Sequence, residues 1–162
     1  MKFTPEIFPL IEGHEPAASN AIAATSDAVY MGNAQGAWII VHEDYAVDAN
    51  QLVLTVNYGT TSALAIAGAT SVTALYGGYK NITAQTSDAF TALTAAATHT
   101  LDGETATNNC IWMFYVPASA VPDGYDWIQA DFAAGNAGNI ANVLYILDTT
   151  RYKSATPPTA VA

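Results

Sequence analysis

Charge is what this chain of 162 residues has least of, with Asp, Glu, Lys and Arg making up 11% against about a quarter in an average globular chain. Basic residues are the scarcer part of that set, four against fourteen acidic ones, for a net charge of -10. Three of the four, Lys2, Arg151 and Lys153, lie near the chain ends and only Lys80 is central, so no basic stripe can form. Binding to phosphate backbones or anionic lipid draws on several Lys and Arg side chains. Neither nucleic acid nor a membrane surface is therefore expected as a partner.

A single cysteine, Cys110, allows no internal disulfide and gives no sign of an oxidising compartment. It lies in the apolar run Cys110-Ile111-Trp112-Met113-Phe114-Tyr115-Val116, where a small buried hydrophobe is expected. No apolar stretch approaches the roughly 20 residues that span a bilayer. Pro5, Glu6, Pro9 and Glu12 break up any signal-peptide core, so a chain made soluble without an export signal is expected.

Hydrophobic residues, in contrast, make up 51%. A chain of this length can bury roughly two thirds of its unfolded surface without a metal or disulfide to hold it. Low charge together with normal apolar content opposes disorder. Ala, Thr, Ser, Asn and Gly stand where Lys and Glu normally would. Such a surface is polar yet repels neighbouring copies weakly, which suits dense packing.

The apolar pattern is that of strands. Ala37-Trp38-Ile39-Ile40-Val41 is a short β-rich run between Gly36 and the polar triplet His42-Glu43-Asp44. Leu52, Leu54, Val56 and Tyr58 fall on one face of a segment whose Thr55 and Asn57 point the other way. Leu64 to Ala67 and Val72 to Tyr76 read as further strands, and 79–83 and 90–94 as weaker ones. Asp102-Gly103 marks a turn within an Ala- and Thr-rich stretch. Asn109 to Val116 is the clearest strand; Pro117 to Pro122 has room for one helical turn. Asp123-Gly124 then turns the chain into Tyr125 to Phe132, the loop Gly135 to Asn139 follows, and Val143 to Leu147 is the last strand. About eight strands with little helix predict an all-β chain, an antiparallel, jelly-roll-like β-sandwich. Residues 1–26 read as an N-terminal arm or loosely packed segment, 27–152 as the single sandwich domain and 153–162 as an extended tail. The apolar residues Phe3, Ile7, Phe8 and Leu10, spaced by prolines, are the candidate assembly contacts of an arm packed on a neighbouring subunit, and a strand tucked along the protein's own sandwich is the plainer expectation for them.

Catalytic constellations are sparse. His42 and Asp44 would share one strand face and are the candidates for a metal site, but no second His/Asp/Glu pair stands nearby and His14 and His99 lie in loop-like surroundings. A polar strand end is the plainer expectation. Asp123, Asp126 and Asp131 are close enough in sequence for a carboxylate pair, although Asp in a turn is ordinary. There is no Gly-x-Ser-x-Gly elbow, and the Gly135–Asn139 loop has no following Lys to hold a phosphate, so it reads as a flexible surface loop. Trp38, Trp112, Trp127 and the nine tyrosines suit a sandwich core, with Tyr30, Tyr45, Tyr58 and Tyr79 at strand edges as candidates for an exposed carbohydrate-binding face. No enzyme activity and no cofactor are expected.

One resemblance adds to this reading. Trp38-Ile39-Ile40-Val41, the strand ending Val116-Pro117-Ala118-Ser119-Ala120-Val121, and the turn Pro122-Asp123-Gly124-Tyr125-Asp126 leading into Trp127-Ile128-Gln129-Ala130 form its first part. The final strand Ile140 to Leu147, Thr150-Arg151-Tyr152 and the tail ending Thr159-Ala160-Val161 complete it. Over roughly residues 30 to 161 the chain resembles a group of small virion proteins of tailed bacteriophages, often encoded near the major capsid protein. The resemblance implies a non-enzymatic β-sandwich subunit, placed as capsid decoration or cement on the outside of the head, or else at the neck or tail. It implies the major capsid protein or neighbouring virion proteins as partners and no catalytic residues. A homo-oligomer closed about a symmetry axis is expected, a trimer at a capsid three-fold. A carbohydrate-binding module is the alternative.

Overall fold

The structure, a computed structural model, describes residues 8–22, 26–66, 76–104, 108–150 and 160–161. Along the chain come β1 (Leu10–Ala18), α1 (Ser19–Ile22), β2 (Ala28–Tyr30), β3 (Ala34–Tyr45), β4 (Leu52–Gly59) and α2 (Ser62–Ile66). Then follow β5 (Tyr76–Asn81), β6 (Thr91–Ala92), β7 (Thr98–Leu101) and β8 (Asn108–Pro117), with a 3-10 turn at Ala118–Ala120. The last strands are β9 (Trp127–Ala133), β10 (Ile140–Thr150) and β11 (Ala160–Val161).

The strands form two antiparallel sheets, in the order β1-β10-β3-β8-β5-β6 and β11-β2-β9-β4-β7. Set aside the short additions β5, β6 and β11, and eight strands remain. The first pairs with the last (β1 with β10), the second with the seventh (β2 with β9), the third with the sixth (β3 with β8), and the fourth with the fifth (β4 with β7). That is one long antiparallel hairpin rolled up until its sides meet, at β10 against β3 and β4 against β9. The fold is a jelly-roll β-sandwich.

Alternation along the strands builds the core between the sheets. Ile39 and Val41 of β3, Trp112 and Phe114 of β8, and Val143 and Tyr145 of β10 face Leu52, Leu54 and Val56 of β4 and Ile128, Ala130 and Phe132 of β9. All of these are buried. Gly13 of β1 lets the ring of Tyr145 lie against the backbone, since a Cβ there would stand 2.4 Å from Cε2 of Tyr145.

Several expectations shift. Within the N-terminal segment, Leu10 to Ala18 pairs with β10 as an edge strand, which is the strand tucked along the protein's own sandwich. The segment at Leu64 is helical, not a strand: α2 spans Ser62–Ile66 and packs on β4, β9 and β2. A short apolar run carries no period long enough to separate the two. Asn57 and Gln129, which point away from the core, are nonetheless buried on that side. The strand at Trp38 does not stop before His42 but runs on to Tyr45. His99 lies in β7 with its ring 4.9 Å from that of Phe114, not in a loop. The predicted strand at Val72 falls outside the described residues up to Tyr76. At the other end of the chain, Ala160 and Val161 join the five-stranded sheet beside β2, and the rest of 153–162 is outside the described residues.

Candidate assembly surface

The outer face of the six-stranded sheet is the most unusual surface of the molecule. Register lines its side chains into rows that cross the strands. One row runs Leu10, Ile146, Trp38, Tyr115 from β1 through β10 and β3 to β8. The next runs Glu12, Leu144, Ile40, Met113, Tyr79 from β1 to β5. Beyond it lie Asn142, His42 and Ile111, then Ile140, Asp44 and Asn109. The face thus grades from apolar and aromatic at one end to mixed and polar at the other. Trp38, Ile40, Met113, Tyr115, Leu144 and Ile146 are half-buried by one another, while Leu10, Tyr79 and Ile140 are 56%, 39% and 52% exposed.

The aromatic part of this face is tightly arranged. Tyr115 lies across Gly36 of β3, where a Cβ would meet its hydroxyl oxygen at 2.4 Å. The Tyr115 hydroxyl donates to Oδ2 of Asp148 on β10, 3.0 Å away. The Trp38 ring centroid is 5.0 Å from that of Tyr115 and 6.5 Å from that of Tyr79. Trp, Tyr and Met are the side chains enriched at the centres of protein interfaces. A soluble sheet face left to water is usually polar.

Of the expected contact residues, Leu10 lies in the first of these rows and Phe8 is half-buried just before it. Phe3 and Ile7 lie outside the described residues. His42 and Asp44 do share one strand face, and both are exposed at its polar end. Their register partners are Asn142 and Ile111, and Ile140 and Asn109, none of which is a strong metal ligand. Among the described residues no group of three or more His, Cys, Asp or Glu is placed to hold a metal ion.

The residue between them is the one that sequence reading passed over. Glu43 points into the core and is fully buried. Burial raises its carboxyl from 4.5 to about 7, opposed in part by the side chains of Asn139 and Ser19. That relief is small because both neighbours are committed elsewhere. Asn139 accepts from the amides of Ala46 and Val47 and donates to the carbonyl of Val47. Ser19 exchanges two hydrogen bonds with the backbone of Asn136. Neither carboxyl oxygen of Glu43 has a well-formed hydrogen bond. The loop at Gly135 to Asn139, expected to be flexible, is instead tied by these bonds to Ser19 and to 46–49. Cys110, the register partner of Glu43 on β8, is buried, and desolvation followed by the Glu43 charge pushes its thiol up to about 12. It is no nucleophile at that value.

Two clefts lie elsewhere among the described residues. One, of about 520 Å³, lies between the turn after β2 and the 118–126 segment, and gathers Ser119, Asp123, Tyr125 and Asp126. Asp131, on β9 opposite Thr55, is not among its lining residues. Tyr125 stands edge-on to Tyr58 at 5.0 Å. Of the other tyrosines at strand edges, Tyr45 is buried and Tyr30 packs on Trp127 at 5.3 Å. The second cleft, of about 350 Å³, is bridged by the Lys80–Glu104 ion pair at 2.7 Å. Searches for relatives found no match to this chain among family models, curated proteins or solved structures.

Proposed function

We propose that this chain is a non-enzymatic structural subunit of a tailed-phage virion, bound to the outside of the head as a decoration or cement protein. The observation that supports it most is the outer face of the six-stranded sheet, where eight large apolar side chains form two rows on a chain of net charge -10. An exposed apolar patch of that kind marks an interaction site. The hydrogen-bonded loops at 19, 46–49 and 135–139 add the rigidity that a repeated building block needs. A net charge of -10 favours a position away from packaged DNA. Many copies on one lattice gain by effective concentration, so each contact with the capsid protein can be small.

The test is an immunoblot of purified parent virions together with immunogold microscopy. Regular labelling over the head supports the reading. Labelling confined to the neck or tail keeps the structural role and moves its place. A blank immunoblot removes the virion role.

One observation favours a second reading, a carbohydrate-binding module. The cleft at Asp123 and Asp126 joins two carboxylates to Tyr125, which is 36% exposed and backed by Tyr58. An aromatic ring beside hydrogen-bonding carboxylates is a fit for a sugar. Tryptophan and tyrosine fluorescence titrated with host polysaccharides tests it, and a flat response ends it.

A further inference from the structure

We infer that the outer face of the six-stranded sheet docks a second copy of this chain, face to face, about a two-fold axis that runs parallel to the strands between β3 and β8. The inference deepens the assembly reading, on which it rests for the idea that this face is covered. It leaves the rest of the surface for the capsid.

Three observations choose a second copy as the occupant. The first is charge. At -10, with fourteen acidic residues and four basic, the like net charge of two copies opposes contact through the acid-bearing surfaces, though weakly at 11% charged residues. The two apolar rows carry no charge except Glu12, at the β1 edge. The two rows are the part of the face on which copies can meet without bringing carboxylates together; the Asp148 and Asp44 rows lie at its two ends.

The second is symmetry. A two-fold axis along the strands keeps each row opposite its own counterpart, so the apolar end meets the apolar end. An axis across the strands through the middle of the four rows would set Leu144 and Ile40 against Asn142 and His42. The strand-parallel axis also exchanges the two sides of the sheet. Leu144 of β10 then faces Tyr79 on β5 of the other copy, Trp38 of β3 faces Tyr115 of β8, and Ile40 faces Met113. Each side chain meets one from the other half of the face, as in a self-complementary isologous interface. Glu12, Asp44 and Asp148 fall on the rim.

The third is size. Five strands at ~4.8 Å spacing and about ten residues at ~3.3 Å each make a face of roughly 600 Å². Two such faces bury roughly 1,200 Å², the lower bound of specific stable interfaces. Sheets stacked in this way pack at about -30°.

Sedimentation velocity of the full chain across a dilution series is the test. The expected result is a reversible species of twice 16.9 kDa. Ile40→Glu and Leu144→Glu are each expected to weaken association by roughly 30-fold or more, the scale of a hot-spot residue. Thr100→Glu, on the exposed outer side of β7, is expected to leave it unchanged. Circular dichroism confirms that each variant is folded. Ile40→Cys, beside the axis, provides a readout that needs no loss of stability: a short bis-maleimide should join the two copies. A wild-type chain that is monomeric at every concentration overturns the inference, as does a dimer that persists in both glutamate variants. A monomer that binds phage heads, and loses that binding in Ile40→Glu, places the capsid on this face; it overturns the second copy and keeps the virion reading. A dimer disrupted by both variants, with a virion immunoblot that is blank, supports the inference and removes the virion role.

Discussion

The hydroxyl of Tyr145 accepts a hydrogen bond from the amide of Ala130, 2.9 Å away, and so ties the two sheets together through the middle of the core. Tyr145 belongs to β10 and Ala130 to β9, in opposite layers. The same hydroxyl donates to the carbonyl of Asp27 at 3.0 Å. The bond is needed because β2 stops at Ala28, opposite Gln129, and leaves the next residue of β9 without a strand partner on that side. Ser26 completes the repair by donating its hydroxyl to the carbonyl of Ala130.

Tyr145→Phe keeps the ring and strands the Ala130 amide in an apolar interior. A loss of about 1–3 kcal/mol is expected. For a chain of this size each kcal/mol corresponds to about 2–4 °C in Tm. Thermal melts of the two proteins under one buffer check it. An unchanged Tm would mean that the sheets do not depend on this bond.

Glu43 sets a pH dependence whose sign follows from burial. The folded chain holds the carboxyl proton up to about pH 7, whereas the unfolded chain releases it near 4.5. Folding therefore has the full help of that proton below about 4.5 and loses it progressively as the pH rises to about 7. Glu43→Gln removes this dependence. It should be more stable than the wild type at pH 8 by roughly 2–3 kcal/mol, with the gap closing by pH 4. The difference between the two denaturation curves isolates Glu43, because the burial-raised Asp27 and burial-lowered His99 are common to both.

Asn139→Ala should loosen one end of the sandwich. The substitution removes the acceptor of the Ala46 and Val47 amides, at 3.0 and 2.7 Å, and the donor to the Val47 carbonyl at 3.2 Å. A cost of about 2–3 kcal/mol is expected. Hydrogen exchange should quicken first at Ala46 and Val47, before the core strands respond. Uniform loss of protection would argue that the latch is part of the global unfolding unit.

Cys110 should resist alkylation in the native protein at pH 8, because its thiol is buried and pushed up to about 12. Iodoacetamide labelling should appear only with denaturant, along the same curve as loss of circular dichroism. Rapid labelling of the folded chain would show that the β8 end opens locally.

Much of the framework was legible in the chain itself. Period-two alternation in Leu52-Leu54-Val56 named inward side chains of β4, with Tyr58 of the same set only partly buried, and the apolar run to Val116 marked β8 as a strand. Asp123-Gly124 marked a turn, with Gly124 at φ +86. The Ala118–Ala120 turn of 3-10 helix sits between the two prolines that bracket it. Glu43 was hidden for a simple reason. His42 and Asp44 on either side are exposed, so the triplet looks like a polar strand end, although alternation puts its middle residue on the core side.

Alternation is a property of one strand, set by backbone geometry, so sequence alone determined which residues point together and that two layers of strands would result. It has no term for which strand lies beside which. Leu10 and Ile146, 136 positions apart, become neighbours only when the rolled hairpin closes. That closure also sets Trp38 and Tyr115 in one row, brings Tyr145 under Ala130, and leaves the apolar rows uncovered. Tertiary structure alone decided these, because register between distant strands is selected by how well the two inner faces pack, and the outer face inherits whatever rows that register makes.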